Sequence, residues 1–152
     1  MKDIQQYVTE LPLEARTFFT LVEATARLIG HSEKYWASKD LNGARIRLLV
    51  EIAKSGGKIL PSVLAIRIGV TKANISLLLG PLEQLGYITI ASDPEDGRKK
   101  TIVLSPEGES LLWEVLPGNR SVIAVQMESL NDEEKMQLLA LLGKLQKGSA
   151  TR

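Results

Sequence analysis

Residues 69–100 read GVTKANISLLLGPLEQLGYITIASDPEDGRKK, and the fold turns on this stretch. Gly69-Val70 suits a sharp turn between two helices. Thr71 follows as an N-cap, its hydroxyl oxygen able to accept a free backbone N–H. From Ile75 the apolar residues recur at Leu78, Leu79, Leu82 and Leu85, which is one face of a helix. Gly86 ends that helix in the C′ position. Tyr87, Ile88, Thr89 and Ile90 are strand formers. Asp93-Pro94-Glu95-Asp96-Gly97 is a turn-rich loop, and Arg98, Lys99 and Lys100 cluster on its far side. Thr101-Ile102-Val103-Leu104 reads as the returning strand. A helix after a short turn, then a hairpin tipped with basic residues, predicts a winged helix-turn-helix.

Position dictates what such a segment can touch. A helix N-terminus aimed at a DNA major groove exposes Lys72, Ala73, Asn74 and Ser76. Asn bonds adenine bidentately, Ser bonds several bases, and Ala meets the thymine methyl. Arg98 sits where the hairpin would reach the neighbouring minor groove, whose negative potential attracts Arg. Lys99 and Lys100 add the charge density that phosphates want. The DNA-contacting set read here is Ser62, Thr71, Lys72, Ala73, Asn74, Ser76, Arg98, Lys99 and Lys100. Asp93, Glu95 and Asp96 read as shaping the wing turn or pairing with Arg98, rather than as a metal cluster.

The segment LAIRIGVTKANISLLLGPLEQLGYITIASDPEDGRKKTIVLSPEG, from Leu64 to Gly108, resembles the MarR family of bacterial transcriptional regulators. The likeness runs from about Leu11 to Leu145, nearly the whole chain. It implies a mainly α fold with a small β-hairpin wing, and N- and C-terminal helices that build a homodimer. On that pattern residues 1–152 form one domain, with dimerisation helices at 11–39 and 120–147 and a winged lobe at 41–116. The dimer would bind double-stranded DNA at an inverted-repeat operator, with half-sites about 10 bp apart. The implied function is transcriptional regulation, most often repression relieved by a small ligand. Family ligands, often aromatic acids, bind between the dimer helices and the DNA-binding lobe. Here His31, Tyr35, Trp36 and Arg45 could line such a pocket, the Arg meeting an anionic group bidentately. The competing reading of these four is packing plus a basic helix surface.

Two positions depart from the family pattern. Leu77 stands where Arg is frequent, and Gly80-Pro81 where Asp-Arg is common. Pro81 forfeits the bond to the Leu77 carbonyl, at about 3 kcal/mol, and predicts a kink. These departures are the features that favour the alternative, a winged-helix protein-interaction module with no specific DNA site.

Composition bounds the rest. A chain of 152 residues, 44% hydrophobic and 24% charged, is an ordinary globular domain. Zero cysteines exclude disulfides and thiol redox sensing, and one histidine argues against an imidazole-built zinc site. No Gly-rich phosphate loop or catalytic constellation appears, so no cofactor and no enzymatic activity are expected. No apolar run reaches membrane-spanning length and Met1-Lys2-Asp3-Ile4 lacks a leader core, so the cytoplasm is the expected location. Net charge is only +1, but residues 41–104 carry 9 basic against 5 acidic side chains while both flanks are net acidic. The excess lies where phosphate neutralisation needs it.

Elsewhere the pattern predicts a short arm at residues 1–10. A long helix opens at Leu11-Pro12, with a weak point at Gly30-His31. Further helices are predicted over Gly43–Lys54 and from Pro61, with a short strand at Ile59-Leu60 between them. Ser105-Pro106 starts another helix that Pro117-Gly118-Asn119 should kink or interrupt. Asn131 and Glu134 form a capping box before a greasy last helix, and Lys147–Arg152 reads as a disordered tail.

Overall fold

The computed structural model describes residues 3–92 and 94–150. The order is α1 (Ile4–Thr9), α2 (Leu13–Ser38), α3 (Gly43–Lys54), β1 (Lys58–Ile59), α4 (Pro61–Ile68), α5 (Lys72–Gln84), β2 (Ile88–Ser92), β3 (Lys100–Leu104), α6 (Pro106–Met127) and α7 (Asp132–Ala150). The architecture is mainly α with a small antiparallel sheet ordered β1-β3-β2. Ile88 lies opposite Leu104, Ile90 opposite Ile102, and Ile59 opposite Ile102 from the other side.

Local chemistry places most boundaries. Asn42 caps α3 by accepting the Arg45 N–H at 2.8 Å. Asn131 and Glu134 satisfy each other's backbone N–H groups at 2.8 and 2.9 Å, a reciprocal capping box heading α7. Ser105 caps α6, accepting the Gly108 N–H at 3.0 Å while its own hydroxyl donates to the Gly86 carbonyl. That pair of bonds ties the start of α6 to the end of α5.

The core is centred on α3, whose Leu48, Leu49 and Ile52 are sealed against Leu64 of α4, Ile75 and Leu82 of α5, Ile88 and Ile102 of the sheet, and Val115 of α6. By contrast α2 contributes one buried residue, Trp36, and α7 none. A 26-residue helix is about 39 Å long, so α2 outruns the lobe it packs on. Leu13, Phe18, Phe19 and Val22 on α2, and Met136, Leu139, Leu141 and Leu145 on α7, face solvent within the single chain.

Several expectations need correcting. Residues 4–9 are helical rather than an arm, because Asp3 accepts the Gln5 N–H at 3.1 Å and Gln6 pairs with Glu10 one turn on. α2 runs unbroken through Gly30-His31; one interior Gly costs only about 1 kcal/mol relative to Ala. Pro117 does not interrupt α6, and α5, which Pro81 is expected to kink rather than end, is continuous as well. Each proline lies four residues after a side chain turned to water, Leu77 at 76% exposure and Trp113 at 74%. The carbonyl that each proline leaves without its helical partner belongs to a residue on the solvent-facing side of the helix, where a polar group is not forced to be buried. β1 covers Lys58-Ile59, one residue earlier than predicted, because Leu60 is the N-cap of α4. α7 continues to Ala150 through most of the supposed tail, and Thr151 and Arg152 lie outside the described residues. Among the described residues, no single helix is long and apolar enough to cross a membrane.

Candidate nucleic-acid interface

The turn between α4 and α5 is built by Gly69. Its φ of 85° lies in the left-handed region, and Gly69 and Val70 both return their N–H groups to the Ala65 carbonyl at 2.9 and 3.0 Å. The chain bends by 101° from α4 to α5, the angle of a helix-turn-helix. Thr71 then caps α5 by accepting the Asn74 N–H at 3.2 Å. Ile75, Leu79 and Leu82 anchor the inner face of α5 in the core. Lys72, Ala73, Asn74 and Ser76 are thereby forced outward together, all exposed, on the first turns of the helix. Ser62 sits half-buried in the first turn of α4, behind Pro61.

At the wing, Asp96 organises the tip. Its side chain accepts the Arg98 N–H at 3.1 Å, and its carbonyl accepts the Lys99 N–H at 3.0 Å. The Arg98 Nε lies 3.8 Å from Asp96 Oδ1, yet the Arg98 side chain is 97% exposed. An ion pair this open is worth about 0–1 kcal/mol, so it orients the guanidinium without holding it back. Lys99 and Lys100 are exposed beside it. Asp93, the third acid of the wing, lies outside the described residues.

Of the four residues read as a ligand pocket, Tyr35 and Trp36 come together, and neither cavity beside α3 and α6 is lined by all four. Trp36 is 4% exposed and belongs to the core. Tyr35 meets it edge-on, ring centroids 4.9 Å apart, and donates its hydroxyl proton to the Val115 carbonyl at 2.6 Å. His31 is exposed on α2 and Arg45 half-buried on α3. A cavity of about 590 Å³ lies instead between the end of α3, β3 and α6, and is lined by none of these four. Its walls include Leu104, Leu112 and Leu116, with Trp113, Glu109 and Arg120 adding an aromatic ring and both signs of charge. A second cavity of about 440 Å³, between α2, α3 and α6, takes in Trp36 alone of the four, beside Glu33 and Arg47. Sequence reading missed Trp113 and Arg120. The signal was Trp113 itself, which falls off the apolar stripe formed by Leu112, Val115 and Leu116.

A right-angled helix pair with an outward polar N-terminus, followed by a basic-tipped hairpin, defines the winged helix-turn-helix regulators. Residues 39–99 match the MarR family model. The HTH-type transcriptional repressor YetL of Bacillus subtilis (strain 168) is 33% identical over 129 residues, covering 84% of this chain and 77% of that protein. The chain belongs to the MarR family, and it is a transcriptional regulator of that family. Two solved structures share its fold. Sco3205, a MarR family transcriptional regulator from Streptomyces coelicolor in complex with DNA, has a TM-score of 0.81 at 22% identity, covering 91% of this chain and 89% of its own. The organohalide-sensing regulator RdhR-CbdbA1625 in its 2,4-dichlorophenol-bound form has a TM-score of 0.84 at 23% identity, covering 93% and 83%.

Proposed function

We propose that the chain is a homodimeric, operator-binding repressor that inserts the first turns of α5 into the major groove and Arg98 into the adjacent minor groove. The observation that carries this is the outward cluster of Lys72, Ala73, Asn74 and Ser76 over a sealed Ile75, with the open Arg98 one hairpin away. YetL is named a repressor and Sco3205 was solved on DNA, which supports the same reading. The unpartnered apolar faces of α2 and α7 are the surfaces a second copy would cover, and an open patch of that size usually marks an interface. In this reading α6 spans both parts, its first half in the lobe and its second half beside the dimer helices. The protein acts by binding rather than by catalysis, in the cytoplasm where the DNA lies.

The cavity beside Trp113 is the proposed effector site. An aromatic anion would place its ring on Trp113 and its charge on Arg120. RdhR-CbdbA1625 holding 2,4-dichlorophenol gives a precedent for aromatic ligands on this fold. Relief of repression then requires that the ligand bind the DNA-incompetent dimer better than the competent one.

The test is selection of bound duplexes from a random pool by the purified protein. One inverted repeat, with half-sites about 10 bp apart, is the expected product. A pool that stays unstructured at low and moderate salt alike would sink the reading.

A further inference from the structure

We propose that Leu77 is a specificity residue that reads the C5-methyl group of thymine, so each half-site carries a thymine facing the second turn of α5. The inference rests on the DNA-binding reading above and extends it to a base. Leu77 has no role in the fold. It is 76% exposed, while Ile75, Leu79 and Leu82 on the same helix supply the core contacts. Its neighbours one turn away are Ala73 and Asn74 before it and Gly80 and Pro81 after it, none of them a large apolar side chain. A side chain added at Gly80 would meet nothing within 4 Å, so the helix surface there is open. Leu77 thus stands up as an isolated aliphatic knob on a flat strip.

The strip is also nearly uncharged. Within α5, Lys72 at the first position is the sole basic residue and Glu83 the sole acidic one. No guanidinium is present to take the paired acceptors of guanine. In the major groove the thymine C5-methyl is the apolar feature among the base edges, so an aliphatic knob there selects thymine. Adjacency to Asn74, one turn before it on the exposed start of the helix, is what argues for DNA as the occupant, rather than a protein.

The experiment starts from the duplex recovered by selection with the wild-type protein. Each thymine in one half-site is replaced in turn by deoxyuridine, which removes the methyl group and nothing else. Affinities are measured for wild type and Leu77→Ala, whose exposed site leaves folding intact. At one thymine the wild type is expected to lose about 4-fold in affinity, the worth of one buried methyl. Leu77→Ala should show no loss at that same thymine. A wild type indifferent to every replacement, or a Leu77→Ala protein paying the same cost, would overturn the proposal while leaving DNA binding standing. A pool with no recoverable motif overturns both, and sends Leu77 to a protein partner.

Discussion

Tyr35 donates its hydroxyl proton to the carbonyl of Val115 across 2.6 Å, fastening the end of α2 to the middle of α6. The ring reaches that carbonyl because Gly118, one turn on, has no side chain; a Cβ there would run into the Tyr35 hydroxyl. This contact joins the long helix to the winged lobe beside two others, Trp36 buried in the core and Glu33 accepting the Gly43 N–H at 3.0 Å. Any motion that changes the spacing of the two α5 helices in a dimer must pass through this joint or bend around it.

Gly118→Ala is expected to destabilise the protein by about 1–3 kcal/mol, the range for forcing a group into a packed site. Tyr35→Phe should cost about 0.5–1.5 kcal/mol, the net worth of one hydrogen bond. The double variant should be somewhat more stable than the sum of the singles implies, because removing the hydroxyl takes away the nearest of the three contacts and leaves only the ring edge, at 2.9 and 3.0 Å, to give way. Urea unfolding at fixed protein concentration measures all three. A Gly118→Ala protein as stable as wild type would mean that the contact is looser than its geometry.

Features governed by neighbours in sequence were legible. Thr71, Asn131 with Glu134, and Ser105-Pro106 cap helices as their side chains dictate, and Gly69 and Gly86 take the left-handed backbone that their positions called for. Where sequence reading went wrong, solvent or distance decided. Pro81 read as a kink and Pro117 as a kink or an interruption, and both helices are continuous; which side of a helix a freed carbonyl faces is a tertiary fact. The candidate DNA face was readable because it occupies one continuous stretch. The cavity was not, since the turn at Gly57, Leu104 of β3 and Arg120 of α6 come to it from distant parts of the sequence.

Arg98→Ala should weaken operator binding by about 1–3 kcal/mol and relax preference at the minor-groove position it faces. Lys99→Ala should act differently, weakening binding evenly across sequences and lowering the salt slope by about 1. Titrations by fluorescence anisotropy at several salt concentrations separate the two. Equal, sequence-independent losses would make Arg98 another phosphate contact rather than a groove finger.

Trp113 gives the cavity its own reporter. It is exposed at the cavity wall, whereas Trp36 is buried in the core. Benzoate, taken as the simplest aromatic acid, is expected to quench the emission of the wild type. That signal should vanish in Trp113→Phe and shift to higher benzoate concentration in Arg120→Ala. Quenching that survives Trp113→Phe would place the ligand by Trp36 in the smaller cavity.

The apolar face of α7 gives the last prediction. Leu141 is 65% exposed in the single chain, whereas Leu142 is half-buried. The more exposed Leu141 is the cleaner probe. Leu141→Glu leaves the isolated chain nearly undisturbed, because the new carboxylate stays in water. In a dimer it would be stripped of water against an apolar partner, which costs several kcal/mol unless it is paired. Sedimentation velocity should show the wild type as a dimer and Leu141→Glu as a monomer or a strongly weakened dimer, with unchanged helical circular dichroism. Operator affinity should fall with it, since one subunit can grip only one half-site. A Leu141→Glu protein that sediments as tightly as wild type would move the interface off this face of α7 and leave its leucines to another role.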